Sequence, residues 1–106
     1  MSGPIQSLTR ELKAGLEAVY GKRLKGVYLY GSYALGEADA ESDVDVLVVL
    51  DQISNYGSEI DRTSFLVAEL SLRYGVNLSR VFVSAQAWRR HATPFLLNVY
   101  EEATLV

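Results

Sequence analysis

The chain has 106 residues, is 49% hydrophobic and 22% charged, and carries a net charge of −3. That length bounds it to one domain, and the composition is that of a soluble globular chain able to bury a core. The negative balance excludes a broad electrostatic footprint for duplex DNA, and the lack of cysteine excludes a disulfide framework or a thiolate metal site. No apolar run reaches membrane-spanning length, and the Met1-Ser2-Gly3-Pro4 start lacks a basic–apolar–small leader pattern, so a cytoplasmic protein with no membrane partner is expected.

Ile5 to Tyr20 reads as an amphipathic helix, with Ile5, Leu8, Leu12, Leu16, Val19 and Tyr20 on one stripe. Gly21 is its stop, and Lys22, Arg23 and Lys25 suit the negative end of a helix. Val27 to Tyr30 is a short buried strand closed by Gly31, and Ser32 is a good N-cap for a helix start. Glu37 to Ser42 is a polar loop. Asp43 to Leu50 is the most strand-like segment, apolar on both faces beyond Asp45, which predicts a central position. Asp43 and Asp45 are two apart, so both project from one face at its polar end.

Ile53 to Tyr74 reads as a second long helix, capped by Ser54 or Ser58, with Ile60, Val67, Leu70 and Tyr74 as its stripe and Gly75 as its stop. Glu59, Asp61 and Glu69 are expected as solvated charges. Val76 to Val83 is the third strand. One of its faces carries Asn77, Ser79, Val81 and Val83, the same polar-then-apolar order as Asp43, Asp45, Leu47 and Val49. Side by side, the two strands bring Asn77 and Ser79 to the aspartates. Ser84 caps a short turn through Trp88, which anchors the C-terminal segment. Thr93-Pro94 starts a last helix whose stripe is Phe95, Leu96, Val99 and Tyr100. Core packing is the simplest role of that stripe, and a partner interface is the functional one. His91, the single histidine, sits beside Arg89 and Arg90 and reads as a surface residue.

The chemistry concentrates between Tyr30 and Leu50. A glycine turn feeding a helix start presents backbone N–H groups that suit a phosphate. Two carboxylates on one face beside it suit Mg²⁺ on a nucleotide tail. The bland alternative is a solvated strand entrance with turn chemistry at Ser42-Asp43. The glycine turn at the right distance favours the nucleotide site.

Gly31, Ser32, Ala34, Gly36 and Ala38, followed by Ser42, Asp43 and Asp45 and an apolar run, resemble the signature of the polymerase-beta-type nucleotidyltransferases. The likeness is to their smallest members, the minimal nucleotidyltransferase (MNT) proteins. It implies an α/β fold, a small mixed sheet with helices on one face. It implies Mg²⁺-dependent transfer of a nucleoside monophosphate, AMP from ATP. Asp43 and Asp45 are then the catalytic metal ligands, and Gly31, Ser32 and Ser42 hold the nucleotide. It further implies a HEPN-domain partner in a toxin–antitoxin pair, or a homo-oligomer, because the chain has no room for an acceptor domain. MNT partners neutralise the toxin, in some cases by adding AMP to a tyrosine.

The sequence departs from the family twice. Tyr33 and Leu35 stand where many members have an arginine. The third carboxylate of a neighbouring strand is missing, since residues 70–100 contain no Asp or Glu, and its place falls by strand parity to Asn77 or Ser79. The second reading is therefore an MNT-fold binding module with a weak or inactive site that neutralises its partner by contact. A polymerase or repair enzyme is disfavoured by size and acidity.

Overall fold

A computed structural model describes residues 3–39 and 41–106, and the expected strands appear in it. Three members of the expected stripes do not join the core: Val19 is 43% exposed, Phe95 45% and Tyr100 55%. Ala40, inside the expected loop, and the first two residues lie outside the described set. Helix α1 (Gly3–Tyr20) runs through a 3-10 turn at Gly21–Arg23 into strand β1 (Leu24–Tyr30). A short helix α2 (Ser32–Leu35) precedes β2 (Val44–Leu50). The long helix α3 (Tyr56–Tyr74) leads to β3 (Leu78–Ser84), then α4 (Ala85–Arg90), α5 (Pro94–Glu102) and the two-residue β4 (Thr104–Leu105).

The sheet is mixed and four-stranded, in the order β3-β2-β1-β4, with β2 and β3 parallel and the other pairs antiparallel. As its apolar run predicts, β2 is internal, and Val46 to Leu50 are each at most 2% exposed. A strand buried on both faces needs helices on both. On one face, α1 contributes Leu8, Leu12 and Leu16 and α3 contributes Val67 and Leu70, packed over Val27, Leu29, Val46 and Val48. Each fully buried leucine there contributes about 1.5–3 kcal/mol relative to exposure. The expectation of helices on one face holds for α1 and α3. The other face is covered by α4 and α5, whose Trp88, Leu96 and Val99 pack on Leu47, Val49 and Val83. Without them, the apolar half of the aspartate-bearing face would lie open.

Two further expectations change on α3. Asn55, not Ser54 or Ser58, caps α3, because its extended backbone lets Oδ1 accept from the Ser58 N–H at 3.1 Å. Glu59 is not a solvated charge but is 3% exposed. Its carboxylate accepts from the Tyr20 hydroxyl (2.9 Å) and Arg23 (3.0 Å) and pairs with Arg62 (3.4 Å). Arg23 also bonds Asp51, so this cation locks α1, β2 and α3 together at the end of β1 remote from Gly31. Among the described residues no helix is long and apolar enough to cross a membrane.

Candidate functional site

The site is built where β1 stops. Gly31 has φ 74° and ψ −154°, a conformation essentially restricted to glycine. Its carbonyl accepts from the N–H groups of Ala34 and Leu35, both at 3.1 Å, which starts α2. Gly31 is therefore the N-cap and Ser32 the first helical residue, one position away from the cap expected at Ser32. Space matters as much as φ. A Cβ on Gly31 would stand 2.6 Å from Asp45 Oδ2, so only a bare Cα allows the turn to back onto that carboxylate.

Strand register does the rest. Tyr30 pairs with Asp45 across β1–β2, and Asp45 pairs with Ser79 across β2–β3. Asn77 lies beside Asp43: its carbonyl accepts from Val44 N–H at 3.0 Å, and its Nδ2 donates to Asp43 Oδ1 at 3.0 Å. Register thus brings Asn77 and Ser79 to the aspartates, and Asn77 arrives as an amide donor that satisfies one Asp43 oxygen. Arg80 points to the opposite face, donating from Nε to Thr63 Oγ1 and from an Nη to the Ile60 carbonyl, both at 2.8 Å. Ser42 is occupied locally: its Oγ accepts from Asp39 N–H (3.0 Å) and donates to Asp39 Oδ1 (3.3 Å).

Asp43 is exposed and Asp45 half-buried. Burial, and then the negative charge of Asp43, push the Asp45 pKa above the ordinary carboxylate value. The Tyr30 hydroxyl is pushed up to about 12, by burial first and then by negative neighbours that include Asp45 and Glu102. Phe95 packs edge-on against Tyr30, with ring centroids 5.8 Å apart.

Glu102 escapes the sequence reading. It ends α5, and its Oε1 accepts the Gly31 N–H at 3.3 Å. No third carboxylate closes the site into a cage, since no group of three or more His, Asp or Glu gathers at metal-holding distance among the described residues.

The nucleotidyltransferase domain profile matches residues 10–86, which contain the glycine turn, both aspartates and all of β3. The chain belongs to the nucleotidyltransferase domain family. A Methanocaldococcus jannaschii protein provisionally named protein adenylyltransferase MJ0604 is 32% identical over 98 residues, covering 92% of each chain. Protein adenylyltransferase MntA of Thermococcus cleftensis is 39% identical over 69 residues, 65% of this chain and 68% of that one. A crystal structure of a toxin–antitoxin complex with AMP-PNP shares the fold at a TM-score of 0.64 and 19% identity, covering 91% of this chain and 69% of its own. In this nucleotidyltransferase domain, Gly31 backs onto Asp45 at one end of the sheet, where Asn77 bonds Asp43 and Ser79 pairs with Asp45.

Proposed function

We propose that this chain acts as a single minimal nucleotidyltransferase domain that moves AMP from ATP to a partner protein. The partner is a HEPN-domain toxin, and the chain is the antitoxin of the pair in the cytoplasm. Support for the acceptor class comes from the protein adenylyltransferase names of relatives, and for the pairing from the toxin–antitoxin complex that shares the fold. The observation that carries the reading is the Gly31 turn backed onto Asp45, a cradle that a Cβ would fill at 2.6 Å.

A divalent ion fits the donor set. Burial first and then the Asp43 charge raise the Asp45 pKa, and a cation beside the two carboxylates would offset both. Mg²⁺ is bound through one or two carboxylates plus nucleotide phosphates and water, which matches two aspartates. When bound, it neutralises developing charge on the triphosphate as pyrophosphate leaves. The chain's own residues do the remainder. Gly31 lets the backbone approach the phosphate tail, and Ser32 lies next to it. Asn77 holds the Asp43 carboxylate in orientation. Tyr30 pairs with Asp45 across β1–β2 and packs edge-on against Phe95.

One observation favours the second reading, a module that neutralises its partner by contact. The strand beside the aspartates meets Asp43 with the Asn77 amide and pairs Ser79 with Asp45, and neither is an acid. Calorimetry with Mg-ATP and labelled-ATP transfer to the partner separate the two. Wild type binds Mg-ATP, and Asp43→Asn with Asp45→Asn abolishes binding in a folded protein. Unchanged affinity in the folded double variant refutes the site. Binding without label transfer to any partner assigns the chain to the module reading.

A further inference from the structure

Glu102 belongs to the candidate site by geometry. It is the last residue of α5, and β4 follows after Ala103. In β4, Leu105 pairs with Tyr28 and Thr104 with Leu29, antiparallel. The same register extended two residues along β1 sets Gly31 opposite Glu102. There the backbone ladder has stopped, and the Glu102 side chain takes the Gly31 N–H at 3.3 Å. An acid thus stands on the turn that, in the reading above, faces the triphosphate. Asp45 Oδ2 crowds the same glycine from its Cα side.

We propose that Glu102 is a further affinity-determining residue of the nucleotide site, an internal anion that holds the Gly31 N–H until the phosphate tail displaces it. The inference rests on the nucleotide-site reading of the preceding subsection. Its physical basis is simple. A carboxylate and a phosphate compete for the same donor, and a carboxylate left beside the tail repels it. The carboxylate therefore weakens binding of the free nucleotide, and a bound nucleotide frees the end of α5 from the turn. Glu102 does not replace the missing metal ligand, because it bonds the backbone while Asp43 bonds Asn77, and the three acids form no cluster.

The test compares wild type, Glu102→Gln and Glu102→Ala by calorimetry with ATP, once in EDTA and once with Mg²⁺. Glutamine keeps an acceptor oxygen but loses the charge, and alanine loses both. Both variants should bind ATP tighter than wild type in both conditions, alanine by about threefold or more, with the gap shrinking at high salt because the effect is electrostatic. The Gly31 amide should lose hydrogen-exchange protection in Glu102→Ala without ligand, which reports the contact independently of nucleotide. Unchanged affinity with wild-type ATP binding intact overturns the proposal and leaves Glu102 as an extension of the β ladder. Weaker Mg-ATP binding with the EDTA series unchanged overturns it in favour of a metal ligand. If no form binds ATP in either condition, the nucleotide-site reading has failed and the Glu102 role falls with it.

Discussion

Gly31→Ala probes the turn that sets the site. Two costs arise in the folded state. A non-glycine residue at φ 74° and ψ −154° is strained by about 1–3 kcal/mol. The new Cβ also meets Asp45 Oδ2 at 2.6 Å, with Asp45 Cγ at 3.4 Å and Cβ at 3.5 Å. Asp45 is pinned in β2 between two neighbouring strands, so its side chain and not its backbone must yield. An off-rotamer aspartate costs about 0.5–1.5 kcal/mol. Together the variant should lose about 2–4 kcal/mol, roughly 8–25 °C in Tm for a domain of this size. Urea unfolding measures it, and Asp45→Ala separates the parts. Removing the carboxylate deletes the steric contact and leaves the backbone strain, so Gly31→Ala should cost about 1 kcal/mol less in that background. A loss below about 1 kcal/mol, or the same loss in both backgrounds, would refute the reasoning.

Asp45→Asn should raise stability at neutral pH. Its folded-state pKa is raised from 3.8, so its favourable contribution is complete below that value and is lost as pH rises through the folded-state pKa. A stability–pH profile in which the variant gains nothing toward neutrality contradicts this. Arg23→Ala should cost about 2–3 kcal/mol, because it strips a partner from the buried Glu59 carboxylate. Burial raises the Glu59 pKa, but bonds from Arg23 and Tyr20 outweigh it and hold it below 4.5. The contribution is present above 4.5 and lost as pH falls through the folded-state pKa, so the difference between Arg23→Ala and wild type should narrow in acid. Asn77→Asp removes the donor to Asp43 and crowds three acids. It should lower Tm by several degrees in EDTA, and Mg²⁺ should restore it. Equal Tm with and without Mg²⁺ would deny a metal site at this position.

Much of the site was legible because a sheet's period is two. The order polar, polar, apolar, apolar occurs on one face of Asp43–Val49 and again on one face of Asn77–Val83. A parallel register that pairs Asp45 with Ser79 and Val49 with Val83 satisfies both patterns at once. A shift of one residue would bury Asp45 under α1 and α3. The glycine turn was legible as a position, but not its closeness to Asp45, which depends on the pairing of Tyr30 with that aspartate.

The acids that were misjudged share a cause. The buried face of α3 runs Glu59, Thr63, Val67, Leu70, spaced by four, four and three. Glu59 is thus on the apolar stripe, one turn before Thr63, and its place could be read from spacing. Its tolerance there could not, since that needs Arg23, 36 residues earlier and held at the start of β1. Glu102 carries even less local signal. It is 71 residues from Gly31 in sequence and reaches it only because the two-residue β4 fixes the register at the far edge of the sheet. The strand beside β2 therefore meets the aspartates with Asn77 and Ser79 alone, and the carboxylate on the Gly31 turn comes from the opposite edge.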